Sequence, residues 1–72
     1  MKNKYGREYQ RIRKRYLRKF PNCEMCQAHF KIVPATEVHH IVPISRGGTH
    51  EWFNLMSLCH NCHRRMHEKD SN

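Results

Sequence analysis

Residues 37–67 read EVHHIVPISRGGTHEWFNLMSLCHNCHRRMH, and this stretch decides the fold of the chain. It holds six of the seven histidines and two of the four cysteines. His39 and His40 are adjacent near its start, and His63 and His67 stand four residues apart at its end. Imidazole and thiolate are the ligands that zinc and related ions prefer in proteins. Packing alone does not require so many of these side chains, and the stretch therefore predicts a metal site.

The four cysteines predict a second, structural role for metal. A chain of 72 residues buries only about 60% of the surface that its unfolded form exposes, so domains of this size usually need a metal or disulfides. The N-terminal residues lack the apolar segment of a signal peptide, and a reducing, cytoplasmic location is expected. Two Cys-x-x-Cys pairs in that setting favour one tetrahedral zinc site over disulfides, the alternative for a secreted protein. The predicted ligands of this structural zinc are Cys23, Cys26, Cys59 and Cys62.

The N-terminal part is predicted to be a basic amphipathic helix over residues 5–20. Tyr9, Ile12 and Tyr16 recur at steps of three and four residues, which places them on one helix face. Pro21 then ends the helix. The chain carries a net charge of +8, and basic residues on the other faces favour contact with nucleic-acid phosphates over a merely solvated surface. The predicted DNA contacts on this helix are Arg11, Lys14, Arg15 and Arg18.

The remainder of the chain predicts short extended segments and one further helix. β-Branched side chains before Pro43 favour a strand, and Gly47 and Gly48 favour a tight turn in the loop that follows. The predicted elements are a strand over 35–41, a loop over 44–51, an extended segment over 52–58 and a helix over 61–69. The apolar side chains expected in the core or around the zinc are Phe30, Ile32, Val33, Trp52, Phe53, Leu55 and Leu58.

The histidines divide by the face on which each element places them. On a strand, His39 and His40 point to opposite faces, so one can bind a metal while the other reaches an attacking water. His63 and His67 lie at i and i+4 on the predicted terminal helix, and the two can share an ion with His39. The other three histidines, His29, His50 and His60, are expected on the surface. For His50, a contact with a phosphate is the alternative.

The same residues resemble the HNH endonuclease motif in its zinc-stabilised form. A Cys-x-x-Cys knuckle at residues 23–26 precedes the motif, and LCHNCH at residues 58–63 closes it. Between them, ATEVHHIVP at residues 35–43, the Gly-Gly pair and an Asn-Leu pair follow in the family's order and spacing. The resemblance implies a small α+β domain with a ββα-metal module. The implied boundaries are a single domain over 1–72, a basic helix over 5–20, and knuckles plus module over 23–69.

The resemblance also implies a role for each site residue. His40 takes the place of the family's general base, and Asn54 that of the asparagine that pins the loop and helps to orient the base. His39 and His63 take the places of metal ligands, and His67 is a further candidate because bacteriocin-type relatives have a histidine there. Histidine in place of the commoner aspartate predicts a three-histidine site that accepts Mn²⁺, Ni²⁺ or Zn²⁺ beside Mg²⁺. The residues grouped as catalytic are His40, Asn54 and His63, with Asn54 acting through the loop rather than on the scissile bond.

The predicted function is a metal-dependent endonuclease that hydrolyses DNA by nicking or by double-strand cleavage. Arg46, in the glycine loop, is expected to clamp a phosphate through its guanidinium. We expect a monomer or weak dimer, away from membranes, working alone or with phage packaging or restriction components. A non-catalytic four-cysteine zinc-finger module that binds DNA is the alternative. CHNCH at residues 59–63 also matches the attachment pattern of c-type haem, which requires export and leaves the other cysteine pair unexplained.

Overall fold

The structure is a computed structural model that describes residues 6–70, with side chains through residue 67. Within this range, helices pack around a two-stranded antiparallel sheet. The elements in chain order are α1 (Gly6–Lys19), α2 (Glu24–Ala28), β1 (Glu37–His40), β2 (Leu55–Leu58) and α3 (His60–Asp70), with short 3-10 turns at Ile44–Arg46 and Trp52–Asn54. The predicted α+β class is confirmed, whereas the sequence pattern does not predict α2.

Helix α1 packs one face on the sheet, as its periodicity predicts. Tyr9 and Tyr16 are buried in that face. The prediction begins the helix at residue 5, which lies outside the described residues, and the observed helix ends at Lys19 because Pro21 follows closely. It has 14 residues, and no helix in the described part of the chain is both long and apolar enough to cross a membrane.

A partly buried polar contact joins α1, α2 and β2. The Tyr16 hydroxyl donates to Glu24 Oε2 at 2.6 Å and lies 3.0 Å from the Leu55 carbonyl oxygen. Glu24 Oε2 also accepts the backbone N–H of Ser57 at 2.8 Å. Burial, and then the hydrogen bond with Glu24, raises the pKa of Tyr16 above its ordinary value. The hydroxyl therefore stays protonated and keeps the first knuckle against the sheet.

The two strands separate the molecule into two faces. Their register pairs His39 with Met56 and His40 with Leu55. Side chains alternate along a strand, so Val38, His40 and Leu55 share the face toward α1. The other face, which includes His39, lies toward α3. The two adjacent histidines consequently point to opposite sides of the sheet, as the strand period predicts.

The loop between the strands depends on two glycines. Gly47 adopts a left-handed conformation with φ 92°, which residues with a β-carbon rarely accept. A β-carbon on Gly48 would lie 1.8 Å from the Val42 carbonyl oxygen, so no other residue fits there. The N–H of Gly48 donates to the Pro43 carbonyl oxygen at 2.9 Å. The loop is thereby folded back over the end of β1.

Several predicted core positions are exposed, and those predictions are wrong. Phe30 is 99% exposed, Ile32 83% and Phe53 81%. The predictions of buried Leu55 and Leu58 are confirmed. Two short strands and one helix face enclose too small a core to take the remaining apolar residues. Val33 is partly buried. Trp52 is also exposed (42%), although its indole packs edge-on against the Tyr16 ring.

Candidate functional site

The first ligand cluster brings the two Cys-x-x-Cys knuckles together. Cys26 Sγ lies 3.8 Å from Cys62 Sγ and 4.0 Å from Cys59 Sγ. With Cys23, all four sulfur atoms lie within 4.8 Å of one another. A tetrahedral zinc site with Zn–S bonds of about 2.3 Å has S–S separations of about 3.8 Å. The cluster therefore fits zinc, and all four cysteines are free of disulfides.

The ionisation of these thiols also suits a cation. Burial raises the pKa of the Cys62 thiol to about 12. In Cys23 the raising effect of burial is outweighed by backbone hydrogen bonds from Cys26 and Cys59, which lower its pKa to about 7. Four crowded thiols cannot all ionise without a neighbouring positive charge, which a divalent ion provides. Because Cys59 and Cys62 face the first knuckle, the structure does not support the haem interpretation.

The second ligand cluster lies between β1 and α3. His39 is buried on β1 (5% exposed), and His63 and His67 are one turn apart on α3. The Nε2 atoms of His63 and His67 are 3.0 Å apart, and ring nitrogens of all three histidines lie within 4.8 Å of one another. Imidazole nitrogens bound to one ion at about 2.0–2.1 Å are about 2.9–3.4 Å apart for bond angles between octahedral and tetrahedral. The cluster therefore fits a divalent metal with three imidazole ligands.

Glu37 makes a contact that the sequence does not predict. Its Oε1 accepts a hydrogen bond from His63 Nδ1, and its Oε2 one from His60 Nδ1 at 2.8 Å. These bonds, first that from His60, hold the pKa of Glu37 below its usual value. A carboxylate on Nδ1 directs the Nε2 of His63 toward His67, which is how metal-binding histidines are commonly oriented. His60, expected to point to solvent, has a side chain that is 68% exposed but bound to Glu37.

His40 lies on the other face of the sheet, against α1 and the loop. Its Nε2 atom is 3.0 Å from His50 Nδ1. The Tyr9 ring packs on both imidazoles, with centroids 5.3 Å from His40 and 4.7 Å from His50. Desolvation, followed by the nearby charges of His50 and His39, lowers the pKa of His40 and favours the neutral, proton-accepting form. His50, expected as a solvated loop residue, is half-buried because the folded-back loop brings it to His40.

Asn54 fixes both ends of this loop. It is buried (6% exposed), and its Oδ1 accepts the Val42 N–H at 2.8 Å. Its Nδ2 donates to the carbonyl oxygens of Val42 at 3.1 Å and Thr49 at 2.8 Å. The buried amide therefore ties the end of β1 to the residue before His50. No charged group is needed for this contact, which suits a buried position.

The basic residues predicted to contact DNA lie on the surface. Helical spacing places those of α1 opposite the face that holds Tyr9 and Tyr16. The remaining predicted contact, Arg46, ends the 3-10 turn Ile44–Arg46 in the loop that Asn54 fixes. The predicted DNA contacts, all of them exposed, are Arg11, Lys14, Arg15, Arg18 and Arg46.

Comparison with known proteins identifies this arrangement. The sequence model of the HNH endonuclease family matches residues 23–69, which contain both knuckles, both strands and most of α3. The chain belongs to the HNH endonuclease family. The predicted resemblance is thereby confirmed.

Two curated relatives match parts of the HNH chain. Over 34 residues it is 50% identical to EcoKMcrA, a type IV methyl-directed restriction enzyme of Escherichia coli K12. This match covers 47% of this chain and 12% of that enzyme. Over 43 residues it is 33% identical to anaredoxin of Nostoc sp. PCC 7120, covering 60% of this chain and 57% of that protein. The matches thus span a small part of the first relative and little more than half of the second.

A solved structure matches nearly the whole HNH chain. It is the crystal structure, with a manganese ion, of the HNH endonuclease of the deep-sea thermophilic bacteriophage GVE2. The TM-score is 0.86 at 34% sequence identity, over 93% of this chain and 76% of that chain. The predicted ββα module of the fold is confirmed by this likeness.

Proposed function

We propose that this HNH domain hydrolyses DNA phosphodiester bonds with the aid of one divalent metal ion. The observation that carries the proposal is that His40 and the three-histidine cluster lie on opposite faces of one strand. Displacement at phosphorus places the attacking and leaving oxygens roughly in line, on opposite sides of the phosphorus atom. Adjacent residues of a strand can therefore present a base to the water and ligands to the leaving-group side.

His40 is the general base in this proposal. Its lowered pKa favours the neutral imidazole, which can take a proton from water near neutral pH. A divalent ion held by His39, His63 and His67 would stabilise charge on the phosphate and on the leaving oxygen. Glu37 holds the ring of His63 in its ligand orientation. Three imidazoles favour transition metals, so Mn²⁺, Ni²⁺ and Zn²⁺ are candidates beside Mg²⁺.

The remaining predicted residues have supporting roles in this scheme. Asn54 fixes the loop, and the four-cysteine cluster holds a structural zinc that joins the knuckles. By resemblance, the products carry 5′-phosphate and 3′-hydroxyl ends. One active site makes one cut, so double-strand cleavage requires a dimer or two independent nicks. The side chains proposed to grip DNA phosphates are Arg11, Lys14, Arg15, Arg18 and Arg46, because their positive charge releases counterions from the backbone.

Plasmid cleavage tests the proposal. Zinc-loaded protein is incubated with supercoiled plasmid and Mg²⁺, Mn²⁺, Ni²⁺ or Zn²⁺, and nicked and linear products are measured. We expect cleavage with at least one ion. His40→Ala is expected to lower the rate by about 10²- to 10⁴-fold, the usual contribution of a general base. His29→Ala, which removes an exposed histidine outside both clusters, serves as the matched control.

Two results would contradict the proposal. Absence of cleavage with every ion, in protein that holds its structural zinc, would show that DNA hydrolysis is not the activity of this domain. Wild-type cleavage by His40→Ala would reject His40 as the base while leaving a nuclease in place.

A further inference from the structure

The contact between His40 and His50 can be made with the proton on either of the two ring nitrogens. The atoms His40 Nε2 and His50 Nδ1 are 3.0 Å apart, so one nitrogen donates and the other accepts. A neutral imidazole carries one proton. If His50 donates, His40 Nε2 is the acceptor and His40 Nδ1 carries the proton, so no basic nitrogen remains for water. If His40 donates, its basic nitrogen is Nδ1.

We propose that His50 is the positioning residue of the general base, accepting a hydrogen bond from His40 Nε2–H through its own Nδ1. This inference rests on the proposed role of His40. The contact fixes both the orientation of the His40 ring and the tautomer in which Nδ1 receives the proton of the attacking water. A backbone or side-chain acceptor on one ring nitrogen is a general means of setting the tautomer of a functional histidine.

The surroundings of the pair hold it in place. Tyr9 is buried (6% exposed) and its ring packs on both imidazoles. The two imidazole rings have centroids 5.1 Å apart and are inclined by 58°, which suits an in-plane hydrogen bond rather than stacking. Helix α1 thereby takes part in the site through an aromatic contact, separately from its basic outer face.

The buried Asn54 is connected to the proposed base, His40, through His50. Asn54 Nδ2 donates to the Thr49 carbonyl oxygen at 2.8 Å, and Thr49 is the residue before His50. Gly48, which tolerates no β-carbon, precedes Thr49. Asn54 therefore fixes the backbone from which His50 reaches His40, and we infer that part of its effect on the base passes through His50.

Three substitutions at one position test the geometry kinetically. His50→Ala removes the acceptor and is expected to lower kcat by about 10- to 100-fold, the cost of a small misplacement of a catalytic group. His50→Asn keeps an acceptor bonded to Cγ, as Nδ1 is, and is expected to restore most of kcat. His50→Gln places its acceptor one bond further out and is expected to behave like alanine. KM should change little in all three, whereas a higher KM with unchanged kcat would assign His50 to phosphate binding and overturn the inference.

A spectroscopic test separates this inference from the proposed function. Long-range ¹H–¹⁵N correlation spectra of zinc-loaded protein with Mg²⁺, at a pH where His40 is neutral, report which ring nitrogen of His40 carries the proton. We expect Nε2–H in the wild type and in His50→Asn, and a mixture in His50→Ala and His50→Gln. This outcome would support the inference even if no DNA cleavage were found. A wild-type His40 with its proton on Nδ1, or a tautomer unaffected by His50→Ala, would overturn it even if the protein cleaves DNA.

A double-mutant cycle tests the connection through the loop. If Asn54 acts on the base through His50, the loss of kcat in Asn54→Ala plus His50→Ala is smaller than the product of the two single losses. Independent multiplication of the two losses would restrict Asn54 to a structural role and reject this part of the inference.

Discussion

The cysteine cluster and the histidine cluster meet on α3, where the neighbouring residues Cys62 and His63 belong to different clusters. The cysteine cluster comes from two knuckles, with Cys26 lying 33 residues before Cys59 and 36 residues before Cys62, and Cys23 is completely buried. The histidine ligands come from β1 and α3, and the outermost of them, His67, is exposed. Structural zinc sites are closed by four protein ligands, whereas catalytic sites keep a position for water or substrate.

This difference shows how so small a chain separates stability from reactivity. Successive residues on a helix are turned by about 100°, so one helix can present Cys62 to the knuckles and His63 to the sheet. In the proposed assignment, zinc in the cysteine cluster joins the first knuckle to the start of α3, and the positions of His63 and His67 depend on that helix. Loss of a cysteine from the cysteine cluster should therefore also disrupt the histidine cluster, whereas loss of a histidine from the histidine cluster should leave the cysteine cluster intact.

The largest expected effect comes from breaking the cysteine cluster. Cys59→Ser is expected to abolish the folded state, because structural zinc contributes apparent free energies of about 10–16 kcal/mol and small domains have net stabilities of about 5–15 kcal/mol. Circular dichroism and zinc content measure the loss. His67→Ala, which removes a ligand from the other cluster, is the control and should keep both. A Cys59→Ser protein that melts cooperatively at the wild-type temperature would refute the structural role.

A smaller effect is expected within the histidine cluster. His67→Ala should weaken Mn²⁺ binding by more than the roughly 10- to 100-fold that loss of an outer-shell partner costs, since a direct ligand is removed. Isothermal titration of zinc-loaded protein measures this affinity, with His29→Ala as the matched control. If the affinity of His67→Ala equals that of the wild type, His67 does not belong to the site.

Glu37 is expected to act on the same site indirectly. Glu37→Ala removes the acceptor of His63 Nδ1 and should weaken Mn²⁺ binding by about 10- to 100-fold, as outer-shell partners of metal-binding histidines do. The same titration gives this value, and circular dichroism confirms that the fold is retained. Unchanged Mn²⁺ affinity in folded protein would mean that the packing of α3 alone orients His63.

The smallest effect is expected at the second partner of Glu37. His60→Ala removes a largely exposed contact, and exposed ion pairs contribute less than about 1 kcal/mol, or about a fivefold change in affinity. Mn²⁺ affinity and melting temperature should therefore stay close to those of the wild type. A loss as large as that of Glu37→Ala would instead show that His60, which lies between Cys59 and Cys62 in the chain, links the two clusters energetically.

The exposed aromatic residues show where sequence reasoning fails. Phe30 and Phe53 are apolar and lie near predicted structural elements, yet both are exposed. The hydrophobic effect favours burial of each of them equally, and only the volume enclosed by the folded elements decides which are accommodated. Tyr9 and Tyr16 are buried because α1 is long enough for its periodicity to define a face, and no comparable pattern surrounds Phe30 or Phe53.

The sequence by itself determined the family and the α+β class, and it predicted the residues that the structure gathers into the two candidate clusters. Cys-x-x-Cys and an i, i+4 histidine pair are local spacings. The backbone of a short turn or of a helix brings the two side chains of each pair close enough to bind one ion. The strand period likewise places His39 and His40 on opposite faces, independently of any tertiary contact.

Only the tertiary structure decided which residues contact and orient the side chains of the candidate site. Glu37 reaches His63 across 26 residues, and His50 reaches His40 because the glycine loop returns over β1. Such contacts depend on the register of the two strands and on where α3 crosses them, and no local spacing encodes either. The two Cys-x-x-Cys pairs and the His63–His67 pair could be predicted because the geometry of each pair is set within a few residues. The supporting partners come from distant segments that meet only when the chain folds.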